Sequence, residues 1–174
     1  MNERYDIIGR SYHALVKAAG IIAISAASLF MASPAQAMAD WTANDDDALL
    51  FDLRSGNYRL GDGVRGYQTD NGICVDLADV IMAMDIPLRL DKKSRRATGW
   101  IFTENQTLTI DRDNEMVQKA GSPAKLRSGQ IYDVPEGWCV DVKSLSEWFD
   151  VKFIPDLSNA LLTLKSDTQL PFER

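Results

Sequence analysis

The sequence predicts an α+β fold, with a mainly antiparallel sheet, short helices and one shared core. The phrase Gly-x-Cys-Val-Asp occurs twice, beginning at Gly72 and at Gly137. Each copy continues into a short run with apolar residues at helical spacing and then into alternating apolar residues, which is typical of a helix followed by a hairpin. A helix this short is marginal alone, so it must bury its apolar side against strands. We therefore predict two strand-helix-hairpin repeats.

The first segment, residues 1–37, is predicted to be a secretory signal peptide. Basic residues precede an uncharged run from Ala18 to Ala32, which is shorter than the roughly 20 residues that a spanning helix needs. Ala35-Gln36-Ala37 then supplies the small-x-small pattern of a cleavage site. The alternative is an uncleaved membrane anchor. We expect an exported protein whose mature part does not span a membrane.

Residues 38–47 are polar and acidic and are predicted to form a flexible lead-in. Repeat 1, with an N-terminal hairpin, is assigned to residues 48–118. Leu49, Phe51 and Leu53 alternate with less apolar residues, which indicates a half-buried strand. A Ser-Gly-Asn turn follows and returns the chain as a second strand.

The first helix is predicted to begin after Asp76, because Asp is a favoured N-cap that accepts hydrogen bonds from the free N–H groups of the first turn. Pro87 forces extended geometry on the residue before it, so the helix should end near Asp85. A meander of strands follows, with turns at 91–96 and at Asn105-Gln106. The residues expected on the buried side of the helix are Leu77, Val80, Ile81 and Met84.

Residues 119–130 are rich in small residues and turn formers and are predicted to be a connector. Repeat 2 is assigned to residues 131–174. Asp141 is its predicted helix cap, and strands are expected over 151–154 and 160–165. The apolar stripe of this second helix consists of Val142, Leu145 and Phe149.

Cys74 and Cys139 occupy the same place in the two copies. Two cysteines in an exported chain most often form one disulfide, and they can meet if a pseudo-two-fold axis relates the copies. The alternative is two separately buried thiols. No Cys-x-x-Cys pair is present, which argues against a redox enzyme.

Composition excludes several classes of function. The net charge of −6 opposes binding to nucleic acid. The only histidine, His13, lies in the predicted leader, so the mature chain has no histidine for a Ser-His-Asp triad or a histidine-containing metal site. We expect no cofactor, no metal and no catalytic residue. The alternative is a small hydrolase that acts on envelope glycan with paired carboxylates.

Two short motifs are ambiguous. Residues 61–66 match the dinucleotide-binding pattern Gly-x-Gly-x-x-Gly, but no helix is predicted directly after them, so we interpret them as a glycine-rich turn. Asp111, Asp113 and Glu115 resemble the beginning of a calcium loop. Met116 stands where that loop requires glycine, so we interpret the segment as a solvated hairpin tip.

One dense basic patch stands out on this acidic chain. Lys92, Lys93, Arg95 and Arg96 are predicted to contact an anionic partner, such as a lipid phosphate or an acidic glycan of the envelope, and Trp100 is the candidate aromatic contact. The alternative for the basic residues is a charged hairpin turn that keeps sheet edges from pairing. Trp100 on its strand fits either a packing or a binding role.

Residues 64–111 and 131–165 resemble the copper amine oxidase N-terminal-like module of bacterial surface proteins. The likeness lies in the order of apolar helix, short strand, aspartate turn and second strand, as in the segment from Val140 to Leu164. The resemblance implies an accessory domain of antiparallel sheet and helix that carries neither copper nor catalysis. The exported segment is also similar to the N-terminal part of usher-like outer-membrane proteins of Gram-negative bacteria.

These observations together predict a non-catalytic cell-envelope module for protein or glycan interaction, located in the periplasm or at the outer membrane. It is either free-standing or the N-terminal part of an outer-membrane assembly.

Overall fold

The structure, a computed structural model, describes residues 41–173, so the predicted signal peptide lies outside the described residues. Short 3-10 turns occupy Asp45–Asp47 and Pro171–Glu173. The helices are α1 (Leu77–Met84) and α2 (Val142–Phe149). The strands are β1 (Ala48–Ser55), β2 (Tyr58–Thr69), β3 (Gly72–Asp76), β4 (Leu88–Asp91), β5 (Arg96–Trp100), β6 (Thr107–Asp111), β7 (Met116–Lys119), β8 (Ser122–Lys125), β9 (Ile131–Val134), β10 (Gly137–Asp141), β11 (Lys152–Asp156) and β12 (Leu161–Lys165).

The first sheet has seven strands in the order β11-β12-β1-β2-β3-β10-β9. All of its neighbouring strands are antiparallel except β12 and β1, which pair in parallel. The predicted N-terminal hairpin is confirmed as β1 and β2, and Phe51 and Leu53 point into the core as their alternation requires. The α+β class predicted from the sequence is therefore confirmed.

The second sheet is a five-stranded antiparallel meander in the order β4-β5-β6-β7-β8. Its last strand, β8, lies inside the segment 119–130 that the sequence analysis interpreted as a connector. All four residues of β8 are exposed, so the strand lacks the apolar alternation that would have indicated it. Pro123 is tolerated in β8 because β8 is an edge strand of the second sheet. Pro155 is tolerated for the same reason in β11, an edge strand of the first sheet.

Both helices begin after the predicted aspartate caps, and α1 also ends at the predicted Asp85. The Asp76 side chain accepts a hydrogen bond from the backbone N–H of Asp79, and Asp141 accepts one from Ser144. Each helix ends at an aspartate in the left-handed conformation, Asp85 with φ 50° and Asp150 with φ 56°. Aspartate visits this region more readily than most non-glycine residues, so it replaces the usual glycine as helix stop.

One hydrophobic cluster contains the apolar sides of both helices together with strands of both sheets. Leu77, Val80 and Met84 of α1 are buried in it, and Ile81 packs against its edge. The stripe predicted for α2 is fully confirmed. Its three residues, Val142, Leu145 and Phe149, are all buried.

The two copies of the repeated phrase meet as neighbouring strands inside the first sheet, next to its edge strand β9. Strands β3 and β10 pair antiparallel, with Val75 opposite Val140. Cys74 lies opposite Asp141, and Asp76 lies opposite Cys139, so the register is symmetric about the valine pair. The hairpins that follow the helices diverge, however. β4-β5 begins the second sheet, whereas β11-β12 extends the first.

The interpretation of residues 61–66 as a turn is wrong, because they lie within β2 and pair with β1. Two of its three glycines, Gly61 and Gly66, allow neighbouring elements to approach closely. A Cβ on Gly61 would lie 2.6 Å from the Cβ of Ala83 in α1, and a Cβ on Gly66 would lie 2.6 Å from the carbonyl oxygen of Cys74. Each glycine lets a neighbouring element pack directly on β2.

This contact between β2 and α1 gives a first prediction. Gly61→Ala should lower the free energy of unfolding by about 1–3 kcal/mol, because the added methyl overlaps the Ala83 methyl and forces a backbone shift. Chemical denaturation measures the difference. Gly137→Ala is the matched control, since its Cβ would meet its nearest neighbour at 3.4 Å, an ordinary contact. Equal stability losses in the two variants would contradict the prediction.

Candidate functional site

The outward surface of the five-stranded sheet carries the strongest candidate site. Ala97, Leu108 and Ile110 of this sheet point into the core, so the residues between them point outward. Thr98, Thr109 and Gln118 lie side by side in register across β5, β6 and β7, with Arg89 beside Thr98 and Thr107 beside Trp100. We call this surface the Trp100 face. Its residues are Arg89, Thr98, Trp100, Thr107, Thr109 and Gln118.

Trp100 stands at one end of this face with 38% of its surface exposed. In the part of the chain that the structure describes, its indole takes part in neither an aromatic pair nor a cation–π contact. A large aromatic ring with hydroxyl and amide groups beside it offers both a stacking surface and hydrogen-bonding partners. Trp100 was predicted from the sequence as a candidate contact, whereas its neighbours were not, although the alternation of Thr107-Leu108-Thr109-Ile110 indicates which residues face outward.

Two of the four residues of the predicted basic patch, Arg95 and Arg96, are paired with acids of the chain itself. Arg95 Nε lies 3.0 Å from an Asp113 carboxylate oxygen, and Arg96 Nε lies 3.3 Å from an oxygen of Asp111. Lys92 donates through Nζ to the backbone carbonyl of Glu136. Lys93 is exposed, and no ion pair of its side chain is found among the described residues. The partner-binding role of these cations stays a prediction.

Several of these charged residues join the two sheets. The Arg112 guanidinium donates two hydrogen bonds to the Asp133 carboxylate, at 2.9 and 3.1 Å, and lies 5.4 Å from the ring centre of Trp138. Arg95 approaches the same carboxylate at 3.8 Å. Turns of the second sheet are thereby fastened to the β9–β10 hairpin of the first. No sequence spacing signals these pairs, because the partners come together only when the two sheets pack.

A buried acidic pair lies at the beginning of α1. Asp79 accepts hydrogen bonds from Arg65 Nε at 2.7 Å and from Arg65 Nη2 at 2.8 Å, and also from the Arg65 backbone N–H. Asp76 is only 1% exposed, and its Oδ2 has no hydrogen-bond partner among the described residues. Its Oδ1 is 3.9 Å from Arg65 Nη2.

The pKa values of Asp76 and Asp79 are shifted in opposite directions. Burial raises the pKa of Asp76, which the neighbouring charge of Asp79 reinforces, although backbone N–H bonds and Arg65 act against it. Burial alone would raise the pKa of Asp79 as well, but the hydrogen bonds and charge of Arg65 hold it below its ordinary value. The hydrogen bonds to Asp79 in turn raise the pKa of Arg65.

The segment compared with a calcium loop forms the turn between β6 and β7. Asp111 accepts hydrogen bonds from the backbone N–H of Asn114 at 3.0 Å and from its side-chain amide at 2.9 Å. These hydrogen bonds lower the pKa of Asp111, and the bond from the Asn114 side chain has the larger effect. Within residues 41–173, no group of three or more metal-ligating side chains converges. Asp111 thus closes the hairpin tip that the sequence predicted.

The predicted disulfide is confirmed: Cys74 and Cys139 are joined, with their Cα atoms 5.3 Å apart. Both cysteines are fully buried beside Tyr67. Trp41, from the part of the predicted lead-in that the structure describes, packs edge-on against Tyr67 and Tyr132 above the bridge. The residues just before β1 therefore cover the disulfide.

Comparison of the chain with family models, with curated proteins and with solved structures finds no match in any of the three. Residues 41–173 also contain no helix with the length and apolar character to cross a membrane. The functional assignment therefore rests on the geometry described above.

The disulfide gives a second prediction. The double variant Cys74→Ser/Cys139→Ser should lose about 2–5 kcal/mol of unfolding free energy, because the bridge closes a long loop in the unfolded chain. Denaturation of the oxidised protein, the reduced protein and the variant measures it. Reduced protein and variant should agree. A variant as stable as the oxidised protein would show that the bridge adds nothing to stability.

The acidic pair gives a third prediction, with opposite signs for its two members. Because the pKa of Asp76 is raised on folding, ionisation of Asp76 favours the unfolded chain, and this penalty is absent below the unfolded pKa of about 3.9. Asp76→Asn keeps a capping oxygen and should stabilise the fold increasingly as the pH rises from 3 to 7.

The neighbouring Asp79→Asn should behave in the opposite way. The pKa of Asp79 is lowered on folding, so its contribution is present above the unfolded pKa and is lost as the pH falls through the folded pKa. The loss at pH 7 is about 1–2 kcal/mol, at the low end for a charged hydrogen bond because Arg65 is partly exposed to solvent. Thermal unfolding at several pH values measures both variants, and changes of the same sign at pH 7 would contradict this account.

Proposed function

We propose that the chain is a non-catalytic cell-envelope module that binds glycan through the Trp100 face. The observation that carries this proposal is an exposed indole at the end of a regular sheet surface whose other residues are mainly hydroxyl and amide side chains. A sugar ring presents an apolar C–H surface that stacks on an indole, while its hydroxyls exchange hydrogen bonds with threonine and glutamine.

Glycan is favoured over a protein partner because of the polarity of the face. Protein interfaces concentrate several aromatic and aliphatic anchors in a buried centre. Here the face has one aromatic residue at its end, and its other residues include Thr98, Thr107, Thr109 and Gln118. A protein partner is retained as an outcome of the experiment.

The location of the protein is part of the proposal. The leader predicted at residues 1–37 supports export, and the disulfide between Cys74 and Cys139 is the kind of bond that persists outside the cytosol. We place the mature chain in the periplasm or at the outer membrane. The duplication remains part of the proposal too, supported by the symmetric register of β3 and β10 around Val75 and Val140.

No observation favours the alternative of a carboxylate-dependent hydrolase. That chemistry requires two acids facing each other across an open cleft. Among the described residues, the acid with a raised pKa is Asp76, which is 1% exposed, and its neighbour Asp79 is held by Arg65.

The fourth prediction tests the glycan proposal. The mature chain should sediment with purified envelope polysaccharide, and Trp100→Ala should weaken this binding about tenfold or more, since aromatic anchors dominate such contacts. Tyr58→Ala removes a comparably exposed aromatic ring from β2 of the other sheet and should bind as the wild type does. Undiminished binding by Trp100→Ala, or capture of a protein from periplasmic extract through this face in place of glycan, would overturn the proposal.

A further inference from the structure

A groove of about 670 Å³ opens at the other end of the second sheet, where the turns before β5 and after β6 meet the end of β8. Its size falls in the range of about 300–1,000 Å³ that small-molecule sites occupy. Four basic side chains line it, those of Arg95, Arg112, Lys125 and Arg127. One acid, Glu115, also lines the groove, and Ser128 with the apolar residues Leu126 and Ile131 completes the wall.

The four cations are held to different degrees. Arg112 is fixed, because it makes two hydrogen bonds to Asp133 and only 12% of its side chain is exposed. Lys125 and Arg127 are loosely paired: their closest carboxylate oxygens lie 3.6 Å away on Glu115 and 3.9 Å away on Glu147. Their side chains are 79% and 71% exposed. Exposed pairs of this kind contribute little to stability, so an incoming anion displaces the partner acids at small cost.

We propose that this groove binds the carboxylate groups of an acidic oligosaccharide. Lys125 and Arg127 exchange their own carboxylate partners for those of the ligand, and Arg112 is a fixed part of the groove wall. A ligand carboxylate competes with Glu115 for Lys125 and with Glu147 for Arg127, and the displaced side-chain carboxylates turn to solvent, because both pairs are long and exposed. The apolar wall at Leu126 and Ile131 suits the C–H surface of a sugar ring.

The net charge of the whole chain argues against a nucleic-acid ligand. At −6, the protein repels a long phosphate polymer, whereas a short ligand that fits inside the groove meets mainly the local cations. The described groove walls also lack an aromatic side chain on which bases stack.

The groove and the Trp100 face are separate sites, so this inference does not depend on the function proposed above. Arg96 pairs with Asp111 at the groove end of β5 and β6, whereas Trp100 pairs with Thr107 at the opposite end. The two proposals can therefore succeed or fail independently.

The fifth prediction uses α-1,4-linked trigalacturonate as the acidic probe and maltotriose as its neutral counterpart, with the mature chain in calorimetric titrations. Trigalacturonate should bind, more weakly as NaCl is raised, and maltotriose should not bind the groove. Lys125→Ala and Arg127→Ala should each reduce the affinity about tenfold, the equivalent of one charge-assisted hydrogen bond. Glu115→Gln removes a competing carboxylate and should raise the affinity.

Matched controls are Lys143→Ala and Lys152→Ala, which remove exposed lysines from α2 and β11 and should leave the affinity unchanged. Trp100→Ala should also bind trigalacturonate as the wild type does, which separates the groove from the Trp100 face. Amide chemical-shift changes confined to the groove, including that of Ser128, locate the site. Equal losses in the control and groove variants, a weaker Glu115→Gln complex, or equal binding of maltotriose and trigalacturonate by the Trp100→Ala variant would overturn the inference.

Discussion

The pairing of β3 with β10 is the contact on which the rest of the structure depends. It brings together the two occurrences of Gly-x-Cys-Val-Asp, places Cys74 and Cys139 within bonding distance and sets the caps Asp76 and Asp141 at the starts of the two helices. Both helices pack against this strand pair and share one core. The shared core and the disulfide, whose cysteines lie in a separate buried cluster with Tyr67, therefore hold together segments that are distant in the sequence.

Charge has two different uses in this molecule. The fixed pairs, such as Arg112 with Asp133 and Arg65 with Asp79, fasten one element to another and are partly shielded from water. Exposed pairs such as Lys125 with Glu115 contribute little to stability and leave their cations open to exchange. The position of a cation in the fold, more than its density along the sequence, thus decides whether it is structural or available to a ligand.

Local sequence patterns indicated the helices, their caps, the hairpins around Gly56 and Asn159, and the cysteine bridge. They also selected Trp100 and Arg95, which now belong to two different candidate sites. The patterns failed where the residues adjacent in the sequence give no sign of a residue's burial or conformation. β8 has no buried residue to mark it as a strand, and Gly61 is required by Ala83, which is far away in the chain.

The sequence by itself determined the short-range structure, because capping, apolar periodicity and turn formation act within a few residues of one another. Only the tertiary structure decided that β11-β12 joins β1 in parallel while β4-β5 begins a separate sheet, since strand order depends on long-range packing. It also decided which charged groups pair. Asp133 reaches Arg95 and Arg112 only after the two sheets meet, and no spacing in the chain encodes that distance.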